Sequence, residues 1–253
     1  MTAGAEQSLF LSVYAEVTEH HQGAFVPEEA ALSISEAAGV DVADVRAILD
    51  RPPAEDSMYP DATRFLPRLI EAAGQYISIW TQGEMVTSQG EPGYQVRKVD
   101  HAGISGLLDP SWQVQNSPAG LPNILGHIYN KSSVLQPIIS PLAEGDFGKI
   151  VIVDDKPVNH VLAHQALQDQ GWDGTTEHYL MARAGINGSD RSEFPFDHTV
   201  ESFEEVPAEP DVDGRTLWLI DLDYTLIDHK RVIQLYSRRI DELSGITDDI
   251  RPQ

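Results

Sequence analysis

Along the first third of the chain, apolar residues recur at three- and four-residue spacing. Leu9, Val13, Tyr14 and Val17 define one stripe, and residues 27–38 carry another, opening on Pro27-Glu28-Glu29 and stopping at Gly39. Both predict helices, the second with proline in its first turn and glycine just past its end. Asp41 to Leu49 predicts a third, short helix with an acidic cap. After a loop over 51–61, a further helix runs from Ala62 and is stopped by Gly74.

Then the period changes. YISIWT (Tyr76–Thr81), KIVIV (Lys149–Val153), HYLMA (His178–Ala182) and LWLID (Leu217–Asp221) are short apolar runs, rich in β-branched and aromatic residues. Such runs predict strands buried on both faces. Helical segments are predicted around Tyr94–Val99, after Lys131 with interruptions at Pro137 and Pro141, after Pro157, and at the end up to Leu243. Residues 84–125 are rich in Gly and Pro and add only a strand near Trp112–Gln115. Residues 183–197 read as a loop, and the acidic, Pro-rich stretch 201–216 reads as a linker. Strands interleaved with helices predict an α/β fold with a Rossmann-like, doubly wound parallel sheet. Ligands of such sheets bind beyond the carboxyl ends of the strands. The positions that matter are therefore Thr81, Asp154, Asp155, Asp221 and Asp223.

Charge narrows the partners. Forty acidic residues against 17 basic ones give a net charge of -23, which repels nucleic-acid backbone and anionic membrane, so neither is an expected partner. The absence of cysteine excludes disulfides and thiolate ligands, leaving carboxylate, carbonyl and imidazole groups for any metal. The opening MTAGAEQSLFLSVYAEV has no basic region and carries Glu6 and Glu16. It fits no signal or transit peptide, no apolar run reaches about 18 residues, and a cytoplasmic location is expected.

The strongest chemical signal is LWLIDLDYTL. Two carboxylates at the mouth of a buried strand are costly unless a cation neutralises them. A hard ion such as Mg²⁺ would do so, leaving one carboxylate to attack phosphorus and the other to act as general acid and base. On these residues alone, an aspartate capping the following helix fits equally well. Thr81 alone reads as a turn residue and Lys131 as a surface charge, while Asp154-Asp155 alone divides evenly between an ordinary acidic pair and a metal-binding one. His20-His21, His160 and His164 could suggest a metal, but His160 and His164, four apart on one helix without an HExxH pattern, read as ordinary helix surface. Trp80 reads as core. Glu84, Arg97 and His229 could face the pocket, without a pattern to single them out.

Asp-Leu-Asp-Tyr-Thr-Leu resembles the DxDxT signature of the haloacid dehalogenase-like superfamily, and the other motifs follow. ISIWTQG resembles its threonine motif, Lys131 its lysine, and KIVIVDDKPVN its acidic pair. The resemblance implies a Rossmann-like core with a mostly helical cap, and a Mg²⁺-dependent phosphohydrolase acting on a small phosphorylated substrate. Asp221 would be the nucleophile and Asp223 the general acid/base. Mg²⁺ would be held by the Asp221 side chain, the Asp223 backbone carbonyl and Asp154-Asp155. Thr81 would bond a phosphoryl oxygen, and Lys131 would neutralise phosphate and nucleophile. An acidic residue at 223 favours phosphoryl over halide chemistry. Phosphotransfer with the same residues, or a non-catalytic binding module that keeps the fold, are the alternatives.

One feature departs from the family. The nucleophile motif comes last instead of first, with the remaining order undisturbed. This reads as a circular permutation with termini inside the cap. Residues 1–60 then form the first part of the cap, 61–226 the core with 204–216 as linker, and 227–253 the helix completing the cap. A strand on a tether can also complete a second copy's sheet, so a strand-exchanged homodimer is a further expectation. A fragment of a tandem protein would give the same order.

Overall fold

A computed structural model describes residues 8–21, 24–51, 57–72, 75–87, 89–108, 124–127, 130–139, 142, 147–183, 193–208 and 215–245. In chain order the elements are α1 (Leu9–His20), α2 (Pro27–Ala38), α3 (Val42–Leu49), α4 (Pro60–Glu71), β1 (Gln75–Gln82), α5 (Tyr94–His101) and the single turn α6 (Ile104–Leu107). Then come β2 (Ile124–His127), β3 (Phe147–Asp154), α7 (Pro157–Asp169), β4 (Thr175–Met181), β5 (His198–Val200), β6 (Arg215–Ile220) and α8 (His229–Leu243). Proline sits in the first turn of α2, α4 and α7, where its missing N–H costs nothing. The Asp41 side chain accepts from the Ala43 N–H at 2.8 Å and starts α3.

The strands form one sheet in the order β2-β1-β6-β3-β4-β5, every pairing parallel. The last strand in the chain is thus central, between β1 and β3, within its own chain. Alternate side chains of these strands point to opposite faces. Ile77, Ile79, Val151, Val153, Trp218 and Ile220 join the core under α1–α6 and α8. Tyr76, Trp80, Ile150, Ile152, Leu217 and Leu219 pack with α7 and the turns after Lys131. Helices or turns therefore cover both faces, the doubly wound arrangement that the uninterrupted apolar runs predict. On the first face α1, α2, α3 and α8 pack together, with Phe10 5.4 Å from Tyr236 between ring centroids and the Tyr236 hydroxyl donating to the Leu49 carbonyl.

Several predicted details are corrected. The helix expected after Lys131 is two short 3-10 turns, Lys131–Val134 and Gln136–Ile138, because prolines and polar residues there cannot sustain an α-helical ladder. Part of the expected linker is structured: Ser202 and Glu205 form a capping box on the turn Phe203–Glu205, and Phe203 stacks on Phe65 with centroids 4.6 Å apart. Val206 is buried as well, and Arg215 and Thr216 already belong to β6. The short strands β2 and β5, neither predicted, occupy the two edges. The strand expected near Trp112–Gln115, the Gly74 helix stop and residues 209–214 of the linker lie outside the described residues.

Candidate active site

Register decides where the acids meet. Ile220 of β6 is level with Ile79 of β1 and Val153 of β3, so the next residues, Asp221 and Asp154, leave the sheet side by side. The Asp221 N–H donates to the Val153 carbonyl at 2.9 Å, which ties the two strand ends together. Asp154, Asp155 and Asp221 are all buried, and each of the three offers an oxygen within 4.8 Å of the others. The two acidic motifs, 67 positions apart in sequence terms from Asp154 to Asp221, form one cluster.

Lys131 enters this cluster from its short turn. Its Nζ donates to Asp154 Oδ2 at 2.5 Å and also to Asp221 Oδ1. The ammonium lies 4.4 Å from the centre of the Trp80 ring, and the Trp80 indole N–H donates to the Lys131 carbonyl at 2.8 Å. Trp80 is core, as its sequence predicts, and positions the lysine as well. Thr81, at the end of β1, is buried and lines the same cavity as Lys131, Asp221 and Asp223. Asn159, in the first turn of α7, donates to both Asp154 oxygens at 2.9 and 3.0 Å, and the Lys156 N–H donates to Oδ1 at 2.8 Å.

The charges in this cluster compete. Burial pushes the Asp221 carboxyl up to about 7; Lys131 opposes the rise and Asp154 adds to it. Burial, then Asp221 and Asp154, push Asp155 up to about 8. Asp154 ends below the usual range because Lys131 and His160 outweigh its burial. Lys131 is raised, since the two carboxylates outweigh its own desolvation. One ammonium thus neutralises part of three crowded carboxylates, and the remainder is relieved by retained protons.

Asp223 faces a second set of partners, which the sequence does not announce. Lys98 of α5, buried at 2% exposure, donates to Asp223 Oδ1, and His229 Nδ1 lies 3.0 Å from the same oxygen. Burial alone would raise Asp223, but His229 and Lys98 hold it far below the usual carboxylate range. His229 itself is kept neutral chiefly by burial. In the tautomer with Nδ1–H donating to Asp223, its Nε2 accepts from the Tyr14 hydroxyl at 2.9 Å. Tyr14 of α1, Phe25 and Tyr94 of α5 line the same cavity. Arg97 instead donates to the Pro92 carbonyl and Asp50, and Glu84 is not among the cavity-lining residues.

The histidine expectation for α7 is also corrected. His160 is buried, not on the helix surface: its Nε2 lies 3.2 Å from the Asp154 carbonyl and its Nδ1 3.1 Å from His178 Nδ1. It supports the strand end that carries Asp154.

Matched against protein-family models, curated proteins and solved structures, the chain finds no counterpart. Fold and site together define a class: an α/β protein with an all-parallel sheet and a buried acidic cluster at the carboxyl ends of its two central strands. No helix among the described residues is long and apolar enough to cross a membrane.

Proposed function

We propose that this chain is a Mg²⁺-dependent phosphohydrolase of the haloacid dehalogenase-like kind, acting on a small phosphorylated metabolite through an aspartyl-phosphate. The carrying observation is the convergence of Asp221 with Asp154, Asp155 and Lys131 at one sheet end, from three separate stretches of chain. The donor set fits the ion: three carboxylates are hard oxygen ligands, and they stand crowded with one ammonium among them. Asp221, Asp154 and Asp155 would hold Mg²⁺ together with the Asp223 backbone carbonyl. When bound, the ion supplies positive charge to the carboxylates and to the phosphoryl oxygens.

The residues divide the remaining work. Asp221 attacks phosphorus, and its oxygen forms the new P–O bond as the ester P–O bond breaks. Asp223, an anion in the free site, takes up a proton from solvent as the substrate binds and delivers it to the departing oxygen. It then takes a proton from the water that attacks the aspartyl-phosphate, freeing phosphate and restoring Asp221. Its contacts with Lys98 and His229 favour the anion that this second step requires. Lys131 balances charge on the nucleophile and phosphoryl group, and Thr81 offers a hydroxyl to a phosphoryl oxygen. Tyr14, Phe25 and Tyr94 also line the cavity. The central position of β6, despite its place at the end of the order, supports the permuted reading of the family resemblance.

An aryl phosphate assay tests this. Turnover should require Mg²⁺, vanish in Asp221→Asn, and fall roughly 10²–10⁴-fold in kcat in Asp223→Asn. Full-length protein with no Mg²⁺-dependent turnover across a broad phosphate panel would leave the binding-module reading in its place. Added acceptor alcohols that divert the phosphoryl group into a new ester would instead assign a phosphotransferase.

A further inference from the structure

A second group of ligand-type side chains lies apart from the acidic cluster, where α1 passes to α2. His20 is the last residue of α1, and the His21 N–H donates to the Val17 carbonyl at 3.0 Å, which fixes its backbone on the helix end. Glu29 stands in the first turn of α2. Its carboxylate reaches both imidazoles, with Oε1 3.1 Å from His20 Nδ1 and Oε2 2.6 Å from His21 Nε2. The three ligand atoms lie within 4.8 Å of one another.

We propose that His20, His21 and Glu29 form a surface site for a borderline transition-metal ion of the Zn²⁺ type. Bonds of about 2.0–2.2 Å in a tetrahedral shell set neighbouring ligand atoms about 3.3 Å apart. The observed separations, each to a different oxygen of Glu29, are about 0.2 and about 0.7 Å shorter than that, so the carboxylate and both rings would turn to admit the ion. Two imidazoles and one carboxylate leave a position for water, and the 70% exposure of the His20 side chain gives an entry path. Ligand chemistry separates this site from the acidic cluster: imidazole nitrogen suits Zn²⁺, while an all-oxygen set suits Mg²⁺. Surface ion pairs that complement the helix ends are the ordinary alternative, but one imidazole would suffice for that role, and here both turn a ligating nitrogen to the same carboxylate. The site would clip the turn whose flanks carry Tyr14 and Phe25, so it would brace one wall of the cavity.

The test is calorimetric titration of the full chain with Zn²⁺ under saturating Mg²⁺, paired with the visible absorption of Co²⁺. One ion per chain is expected, with Co²⁺ bands typical of imidazole ligation. His21→Ala and Glu29→Gln should each weaken binding at least about tenfold, and the His20→Ala, His21→Ala double variant should abolish it. Asp155→Asn, in the acidic cluster, should leave it unchanged. All variants are checked for unaltered far-UV circular dichroism, and the surface placement of the replaced groups makes that the expected result. Absence of stoichiometric binding, binding that persists in the double variant, or binding lost only in Asp155→Asn would each overturn the proposal.

Discussion

One lysine stands between two carboxylates in a place with almost no water. Removing one partner of a buried ion pair leaves the other charge uncompensated, at about 3–5 kcal/mol. Lys131→Met strands both Asp154 and Asp221 and should lower stability by at least the low end of that range in chelator, with Mg²⁺ restoring a large part; urea melts in each condition read this. The carboxyls also set a pH dependence. Asp155 and Asp221, raised to about 8 and about 7, bind protons more tightly folded than unfolded. Their contribution is full below the unfolded carboxyl range and is lost as pH rises through the folded values. His178, lowered to about 4 by burial and by His160 and His164, acts in the opposite sense, but only below the ordinary imidazole value of about 6.5. Between about pH 6.5 and 8 the carboxyls therefore decide, and metal-free protein should melt lower at the upper end, with saturating Mg²⁺ removing the slope. A melting temperature independent of pH in chelator would refute this. Asp221, Asp223, Asp154, Asp155, Thr81 and Lys131 were legible because motif and strand end coincide. Lys98 and Asn159 were not, and His229 was named only as a pocket-side position without a role. The only trace of Lys98 is its place on the buried stripe of α5 with Tyr94 and Val99, where a surface-type residue breaks the pattern.

Between β6 and α8 the chain makes a tight loop whose shape depends on distant segments. Tyr224 has φ 60°, the one non-glycine residue with positive φ among those described, directly after Asp223. A residue in that region is tolerated where its surroundings fix it. Here the Tyr59 N–H donates to the Leu226 carbonyl, the Asp228 N–H to the Ser57 carbonyl, and Arg183 to the Thr225 carbonyl at 2.9 Å. Arg183 follows β4, lies 3.8 Å from the centre of the Tyr59 ring, and pairs with Asp61 of α4 at 3.0 Å. It joins three elements through one guanidinium. Arg183→Met should cost about 3–5 kcal/mol in urea unfolding, and Asp61→Asn on that background should recover part of the loss. Equal stability of wild type and Arg183→Met would show that the clamp is incidental. Long apolar runs and amphipathic stripes made the central strands and main helices readable. Edge strands β2 and β5, at four and three residues, are too short to carry a period. The acidic surface residues around Phe203 and Val206 hid the apolar positions that anchor this stretch beneath α4.

Across the molecule, the order of strands in space differs from their order in sequence. β6 bonds to β1 on one side and β3 on the other, so the sheet is continuous only when β6 has docked. The amides of Leu217–Ile220 should therefore exchange at the rate of global unfolding, while those of the edge strand His198–Val200 exchange faster. Hydrogen exchange read by residue checks this, and equal rates in the two strands would argue that β6 docks loosely. Protection that falls on dilution would instead indicate strands shared between copies. The sequence by itself determined the main element types, the parallel class of the sheet and the residue types at each strand end, because these follow from local periodicity and residue type. Only the tertiary structure decided that Asp154 and Asp221 stand shoulder to shoulder, that Lys98 and His229 claim Asp223, and that His160 is interior. Those facts depend on strand order, register and helix docking, which arise from contacts between residues far apart in the chain and leave no mark on any one segment.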